Sequence, residues 1–327
     1  MSVLSVIEVS EGKIKKTSYE AAYYGSKVAE LLGTDAVGVV LGTASAEELA
    51  NLGNYGLKKV LHTNNAKFDV FDSKAHTKAV ADAAGAAGAT VVVSSFSQNG
   101  KLLAPRIAVR LKAGYVPGAS ELPTFNGNVM NATKNVYSGK AKASYQASTD
   151  IKVIAVSPNS LSPVKVSGTA AIEAFTPSSV SDADFTTTVK SVDKAVGEIS
   201  LPEADLVVSA GRGLKGPENW GMIESLAHEL GAATACSRPV SDVDWRPHHE
   251  HVGQTGITVK PNLYIAIGIS GAIQHLAGVN QSKVIVVINS DPEAPFFKAA
   301  DYGIVGDAFQ VVPALIEEVK KFKAAAH

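Results

Sequence analysis

Apolar and polar positions along the chain change places in short blocks. β-Branched runs over 3–9, 36–41, 59–62 and 90–95 read as strands. Between them, Ala-, Lys- and Glu-bearing stretches over 19–32, 46–52 and 74–84 carry helical spacing. No hairpin dipeptide joins these strands, so single helices must carry the crossovers, and an α/β structure around a mostly parallel sheet is expected. From about 113 to 175 the texture shifts to strand-like pieces, 140–145 and 151–156, with few helical signals. Pro158, Pro163 and Pro177 then punctuate a Ser/Thr-rich stretch over 176–188 that reads as loop or linker.

Alternation resumes beyond it, with strands at 206–210, 232–236, 263–269, 284–289 and 304–305 and helices at 220–230, 272–277 and 312–322. The chain is therefore expected to form two doubly wound, Rossmann-like α/β domains with mostly parallel sheets. Residues 1–200, with a linker at about 176–200, form the first, and residues 201–327 form the second, ligand-binding one. Its ligand belongs at the strand ends. A length of 327 residues suits two cores. No repeat with a period of roughly 20–50 residues is visible.

Composition narrows the function classes. An apolar content of 46% against 19% charged residues is that of a folded globular protein. Lys and Arg number 30 against 31 Asp and Glu, a net charge of −1, so nothing draws the chain to nucleic acid or an anionic membrane. The start, Met1 to Glu8, reads as a strand rather than a signal or transit peptide. No run approaches the roughly 18 apolar residues of a membrane span. The single Cys236 fits a reducing compartment, and a bacterial cytoplasm is expected. Asn131-Ala132-Thr133 matches the glycosylation sequon but, without a secretory signal, is an accident of composition.

The candidate chemistry gathers in loops after strands of the second half. The segment 264–278 is an apolar strand, then Gly268, Ser270 and Gly271, then a helix carrying Gln274 and His275. A small-residue turn feeding a helix N-terminus offers N–H groups and a positive dipole end to an anion such as phosphate. After earlier strands come Gly211-Arg212-Gly213-Leu214, where Arg212 offers a fork of donors, and Cys236-Ser237-Arg238-Pro239. Val252-Gly253-Gln254-Thr255-Gly256 leaves an amide and a hydroxyl on a free backbone, suited to a heteroaromatic ring. Asn289, Asp291 and Asp307 read either as ribose or adenine acceptors or as turns and helix caps. His248, His249, Glu250 and His251 are adjacent and cannot all aim at one tetrahedral metal, so these histidines are expected to decorate a surface loop. No Ser/His/Asp arrangement, Walker A sequence or Cys-x-x-Cys pair appears. The residues alone support a nucleotide or flavin at the strand ends of the second domain.

At this point the second half resembles the alpha subunit of electron transfer flavoprotein. The resemblance is carried by Gly211-Arg212-Gly213-Leu214-Lys215, Ser237-Arg238, Val252 to Gly256, Gly268 to Gly278, Asn289-Ser290-Asp291-Pro292-Glu293-Ala294-Pro295 and Ala300 to Asp307. Ala104 to Leu111 and Tyr137-Ser138-Gly139-Lys140 extend it more loosely into the first half. The resemblance implies an electron carrier rather than an enzyme with its own substrate. It also implies a heterodimer with a beta subunit, one FAD held chiefly by the second domain, and an AMP in the partner subunit. Donors would be dehydrogenases such as acyl-CoA dehydrogenases of fatty acid β-oxidation. The acceptor would be a quinone oxidoreductase or another respiratory protein.

Carried over by position, the resemblance places Arg238 over the isoalloxazine, Thr255 near its reactive nitrogen and His275 at its C2 carbonyl. Ser270, Gly271, Ala272, Ile273 and Gln274 would hold ribityl and pyrophosphate. Arg212, Ser237, Val252, Gly253, Gln254, Asn289, Asp307 and Ala308 would complete the FAD contacts. One departure stands out: Ile257 follows Gln254-Thr255-Gly256 where the family commonly has Lys. Two rival readings are a subunit of an electron-bifurcating NADH-linked flavoprotein and a nucleotide-binding regulatory protein on the same scaffold.

Overall fold

A computed structural model describes residues 1–192 and 199–325. The chain divides into two compact units, Met1–Asp193 and Lys194–His327. Part of the expected linker, 193–198, lies outside the described residues. Among the described residues no helix is long and apolar enough to cross a membrane.

The first unit begins with β1 (Ser2–Ile7), the hairpin β2 (Val9–Ser10) and β3 (Lys13–Ile14), α1 (Lys16–Leu32), β4 (Asp35–Leu41), α2 (Ala46–Asn51) and β5 (Lys59–Thr63). It continues with α3 (Ser73–Ala87), β6 (Ala89–Ser95), α4 (Gln98–Leu111), β7 (Gly114–Ala119), β8 (Thr124–Asn126), β9 (Val129–Val136), β10 (Ala141–Ala147), β11 (Lys152–Val156) and β12 (Ala171–Ala174). Seven strands form one sheet in the order β12-β5-β4-β1-β6-β11-β7, every neighbouring pair parallel.

Successive side chains of β1 serve opposite layers, as the pleat requires. Val3 and Ile7 pack with Ala21, Tyr24 and Val28 of α1, while Leu4 and Val6 pack with Ala79 and Val80 of α3 and Leu103 and Ile107 of α4. A strand buried on both faces reads as a near-continuous apolar run, which β4 shows after Asp35 and β1 shows apart from Ser2 and the buried Ser5. Left-handed Gly33 and Gly88 end α1 and α3 at φ 61° and 60°.

Three features depart from the sequence-based expectation. Helix α4 forms in spite of Gly100 and Pro105, because Ser97 caps it and Leu103, Ala104 and Ile107 bury one face. Strands β8, β9 and β10 form a separate antiparallel sheet, so the first unit is not purely crossover-connected. The stretch 176–188 is also not a free linker, since polar groups strap it to α3. Asp72 accepts from the Thr186 and Thr187 N–H groups at 2.7 and 2.9 Å, and Asp184 pairs with Lys74 and Lys78 at 3.0 and 2.8 Å.

The second unit runs β13 (Leu206–Ala210), α5 (Gly221–Leu230), β14 (Ala233–Cys236), α6 (Arg238–Ser241), β15 (Leu263–Ile267), α7 (Ile273–Val279), β16 (Val284–Asn289), β17 (Tyr302–Val305) and α8 (Ala308–Ala325). Its five strands are all parallel in the order β14-β13-β15-β16-β17. One face buries Val208 and Ile265 with Ile223, Leu226 and Val312; the other buries Val207 and Tyr264 with Val252, Val279 and Phe296.

Candidate functional site

From β13 the chain passes to β14 on one side, then returns to β15 on the other. The carboxyl ends of β13 and β15 are therefore a topological switch point, where diverging loops leave a crevice. Glycines make the loops cross at backbone distance. The Gly211 N–H donates to Ile267 O at 3.0 Å and the Gly213 N–H to Gly268 O at 3.1 Å. A Cβ on Gly213 would lie 2.6 Å from the Gly268 Cα, and Gly268 itself is left-handed at φ 61°. That turn ends the strand at Ile267, before the expected Ile269.

A cleft of about 540 Å³ opens at this point, within the range of small-molecule sites. Arg212 reaches it from the loop after β13. From the end of β14 come Ser237, whose N–H is tied to Ala210 O at 3.1 Å, and Arg238 at the start of α6. The Arg238 side chain is 63% exposed, and its Nε lies 3.3 Å from Asp242 Oδ2.

Val252, Gly253, Gln254 and Thr255 form a third wall. Its position is fixed through main chain: Val252 N–H donates to Cys236 O at 3.0 Å and Gln254 N–H to Gln274 O at 2.7 Å. The Gln254 and Thr255 side chains stay exposed. Ser270, Ala272, Gln274 and His275 form the fourth wall, with Asn289 beyond. No side chain caps α7, whose N-cap is Ala272. Asn289 is already engaged, donating to Ile269 O at 3.0 Å and accepting from Asp291 N–H.

Four expected residues lie outside the cleft walls. Gly271, at φ 84°, backs onto Phe296, where a Cβ would come within 2.6 Å of its main chain. The Ile273 side chain is exposed. Asp307 accepts from Phe309 N–H at 3.0 Å and caps α8, while Ala308 is buried with Val312. Lining residues outside the expected FAD contacts include Gly268, Asp242, Asp291 and His251.

His251 corrects the reading of the histidine loop. His248 and His249 are exposed, but His251 is buried and lines the cleft, drawn in by a parallel bridge to Cys236 at the end of β14. The loop is anchored by Glu250, which accepts from Arg246 Nε at 2.8 Å and Thr234 Oγ1 at 3.0 Å, while Arg246 stacks on Trp220. Ile257, which follows the Gln254 loop, packs on the core face that holds Val252 and Tyr264.

His275 is buried, with Nε2 2.9 Å from the Tyr264 hydroxyl and Nδ1 lacking any hydrogen-bond partner in the protein. Burial, helped by neighbouring His251, pushes its pKa down to about 4. Burial lowers His251 as well. Both rings are neutral near pH 7. Burial pushes the Cys236 thiol up to about 12, which excludes it as a thiolate nucleophile. The cleft offers two guanidinium groups, three side-chain amides, hydroxyls and two buried imidazoles: equipment for holding a polar ring and phosphates.

Fold and cleft thus define a doubly wound α/β protein with an open cleft at the switch point of its second unit. Comparison with known proteins makes the class specific. Residues 3–180 match the electron transfer flavoprotein domain and residues 200–280 the electron transfer flavoprotein FAD-binding domain. The chain is 37% identical to the electron transfer flavoprotein subunit alpha of Bacillus subtilis (strain 168), over 98% of this chain and 97% of that one. It is 36% identical to the subunit alpha of Thermoanaerobacterium thermosaccharolyticum, over 97% of each chain. It is 34% identical to Protein FixB of Clostridium saccharobutylicum, over 97% of this chain and 96% of that one. The chain belongs to the electron transfer flavoprotein alpha-subunit family, whose members are electron carriers. Its second unit carries the family's FAD-binding domain, and an alpha subunit implies a beta-subunit partner.

Proposed function

We propose that the cleft at the β13/β15 switch point holds FAD and that the protein, paired with a beta subunit carrying AMP, relays electrons. The donor would be a dehydrogenase, such as an acyl-CoA dehydrogenase, and the acceptor a quinone oxidoreductase or other respiratory protein. The observation that carries this reading is a crevice lined by Arg212 and Arg238 with the buried, unpartnered Nδ1 of His275 on its wall. A buried polar atom without a partner is uncommon in folded proteins and is explained by a ligand group that completes it.

Bound flavin supplies reversible electron uptake, which adds negative charge to its ring. Arg238 stabilises that charge: a cation about 4 Å away is worth roughly 4 kcal/mol at an effective dielectric of 20. Exposure and the Asp242 partner reduce this to about 1 kcal/mol, or roughly 40 mV for one electron. Arg212, Ser237 and Asn289, all on the cleft walls, serve the rest of the cofactor. Thr255 and Gln254 face the ring, and the segment from Ser270 to Gln274 follows the ribityl chain and pyrophosphate.

The test is to purify the protein with its partner, record the visible spectrum and count FAD and AMP. A yellow complex with one FAD and one AMP is expected. Two FAD and no AMP would indicate the bifurcating form. A colourless complex that cannot take up FAD would contradict the reading. Arg238→Ala should lower the flavin potential by tens of millivolts with a smaller effect on FAD affinity, and an unchanged potential removes the role given to Arg238.

A further inference from the structure

We propose that Tyr264 sets the tautomer of His275: its hydroxyl donates to Nε2, which leaves the ring proton on Nδ1 and presents an N–H donor to the cleft. A neutral imidazole has one donor and one acceptor nitrogen, and the bond made by one fixes the role of the other. Because a phenol can play either part, the 2.9 Å contact between Tyr264 and Nε2 does not choose the direction by itself. The surroundings do.

Ser209 on β13 and Tyr264 on β15 share one face of the sheet, in the register Val207↔Tyr264 and Ser209↔Ala266. The Ser209 hydroxyl is nevertheless buried with no hydrogen-bond partner, so it neither donates to the phenol nor accepts from it. His275 Nε2 is the hydrogen-bond partner of the fully buried phenol. The reverse direction, with Nε2–H donating, would leave the phenol proton buried with no acceptor. The phenol therefore selects Nδ1–H, and Nδ1 has no partner within the protein.

The ring is also held in orientation. His275 meets Phe296 edge-on, with centroids 5.7 Å apart at 72°, and Tyr264 packs on the same Phe296 at 6.4 Å. Gly271 presses its main chain against Phe296 from the other side of the loop. An imidazole fixed in both tautomer and direction is a preorganised donor, and it selects an acceptor oxygen such as a ring carbonyl. Tyr264 is thus a positioning residue, buried too deeply to touch the ligand. Only the ligand's acceptor rests on the proposed function, since the tautomer belongs to the chain alone.

The test is long-range ¹⁵N–¹H correlation of the histidine rings in the full protein, with and without FAD, beside an FAD titration. For His275, Nδ1 is expected to give the pyrrole-type resonance and Nε2 the pyridine-type one. Tyr264→Phe, which keeps the ring packed on Phe296, should shift His275 toward the other tautomer. It should also raise the FAD Kd about five- to tenfold, the worth of roughly one hydrogen bond. A wild-type spectrum with the proton on Nε2 overturns the proposal and needs no variant to fold. So does a Tyr264→Phe protein with unchanged tautomer and unchanged Kd. Wild-type protein that takes up no flavin contradicts the proposed function, and the nitrogen resonances still decide the tautomer.

Discussion

The molecule contains two doubly wound units, each with a topological switch point, and they treat that crevice in opposite ways. In the second unit the loops after β13 and β15 are Gly211, Gly213 and Gly268, and a cleft of about 540 Å³ opens beside them. In the first unit the switch point falls between β1 and β6, and the residue after β1 is Glu8. Its carboxylate accepts from the hydroxyls of Ser95 and Ser97 at 2.7 and 2.5 Å and pairs with Lys15 at 3.3 Å. Only about 60 Å³ remains beside it. A carboxylate thus occupies the place, near the N-terminus of α4, where a bound anion's charge would sit in an open site. The fold supplies the crevice, and a few residues decide whether it is a binding site or a plug.

The sharpest way to break this contrast is to fill the glycine crossing. Gly268→Val puts a side chain where a Cβ already lies 2.9 Å from the Gly213 Cα, at a left-handed φ. The second unit should lose about 3 kcal/mol or more, with FAD affinity falling on the order of 100-fold. Flavin absorbance per chain and a denaturant titration measure both.

Acid separates the units by chemistry. His275 is depressed to about 4 in the folded protein, against about 6.5 when unfolded. The unfolded state therefore takes up the proton first, so this contribution is present above about pH 6.5 and lost as pH falls through about 4. The second unit should lose about 3 kcal/mol across that window, and His275→Gln should flatten the curve. His76 of the first unit, lowered by burial, has the same sign. The strap on α3 responds lower down. Burial works against ionised Asp72, but N–H donors from Thr186, Lys74 and Ala75 outweigh it and hold the carboxyl well below the usual range. Asp184 is held down chiefly by Lys78, with help from Ser181 and Lys74. Their contribution is present above roughly pH 4 and lost below it. Asp72→Asn should therefore weaken the first unit at neutral pH while reducing its further loss in acid, as followed by proteolysis within 176–188.

The smallest effect is expected at the plug. Glu8→Ala strips partners from Ser95 and Ser97 and should cost the first unit about 1–2 kcal/mol, with no change in flavin content or spectrum. A variant that gained FAD in the first unit would show that glycine crossing is not required.

The parallel cores were legible because strands buried on both faces leave short runs that are largely apolar, as in β4 and β15. The loops around Arg212, Arg238 and His275 were legible because each follows a strand of the sheet, and the Gln254 loop, which lies beyond α6, was legible from its flanking glycines. Other features were hidden for physical reasons. Gly100 and Pro105 weaken the helical signal of α4, whose stability comes from tertiary burial of Leu103 and Ile107. The half-exposed strands β8 to β10 lack a continuous apolar run. His251 looks like its exposed neighbours until its bridge to Cys236 is seen. Glu8 reveals its role only through serines 87 and 89 positions away, and Tyr264 reads as one more apolar strand residue until its hydroxyl meets His275.

The account turns on one cleft being built for flavin and the other being closed. The most direct measurement is an experimental density map of the protein purified with its partner and FAD. Flavin is expected at the β13/β15 crossing, with Arg238 on its ring and His275 Nδ1 on an acceptor oxygen, and Glu8 still seated on Ser95 and Ser97. Flavin located at the β1/β6 crevice, or a flavin-loaded complex whose β13/β15 cleft holds none, would contradict it.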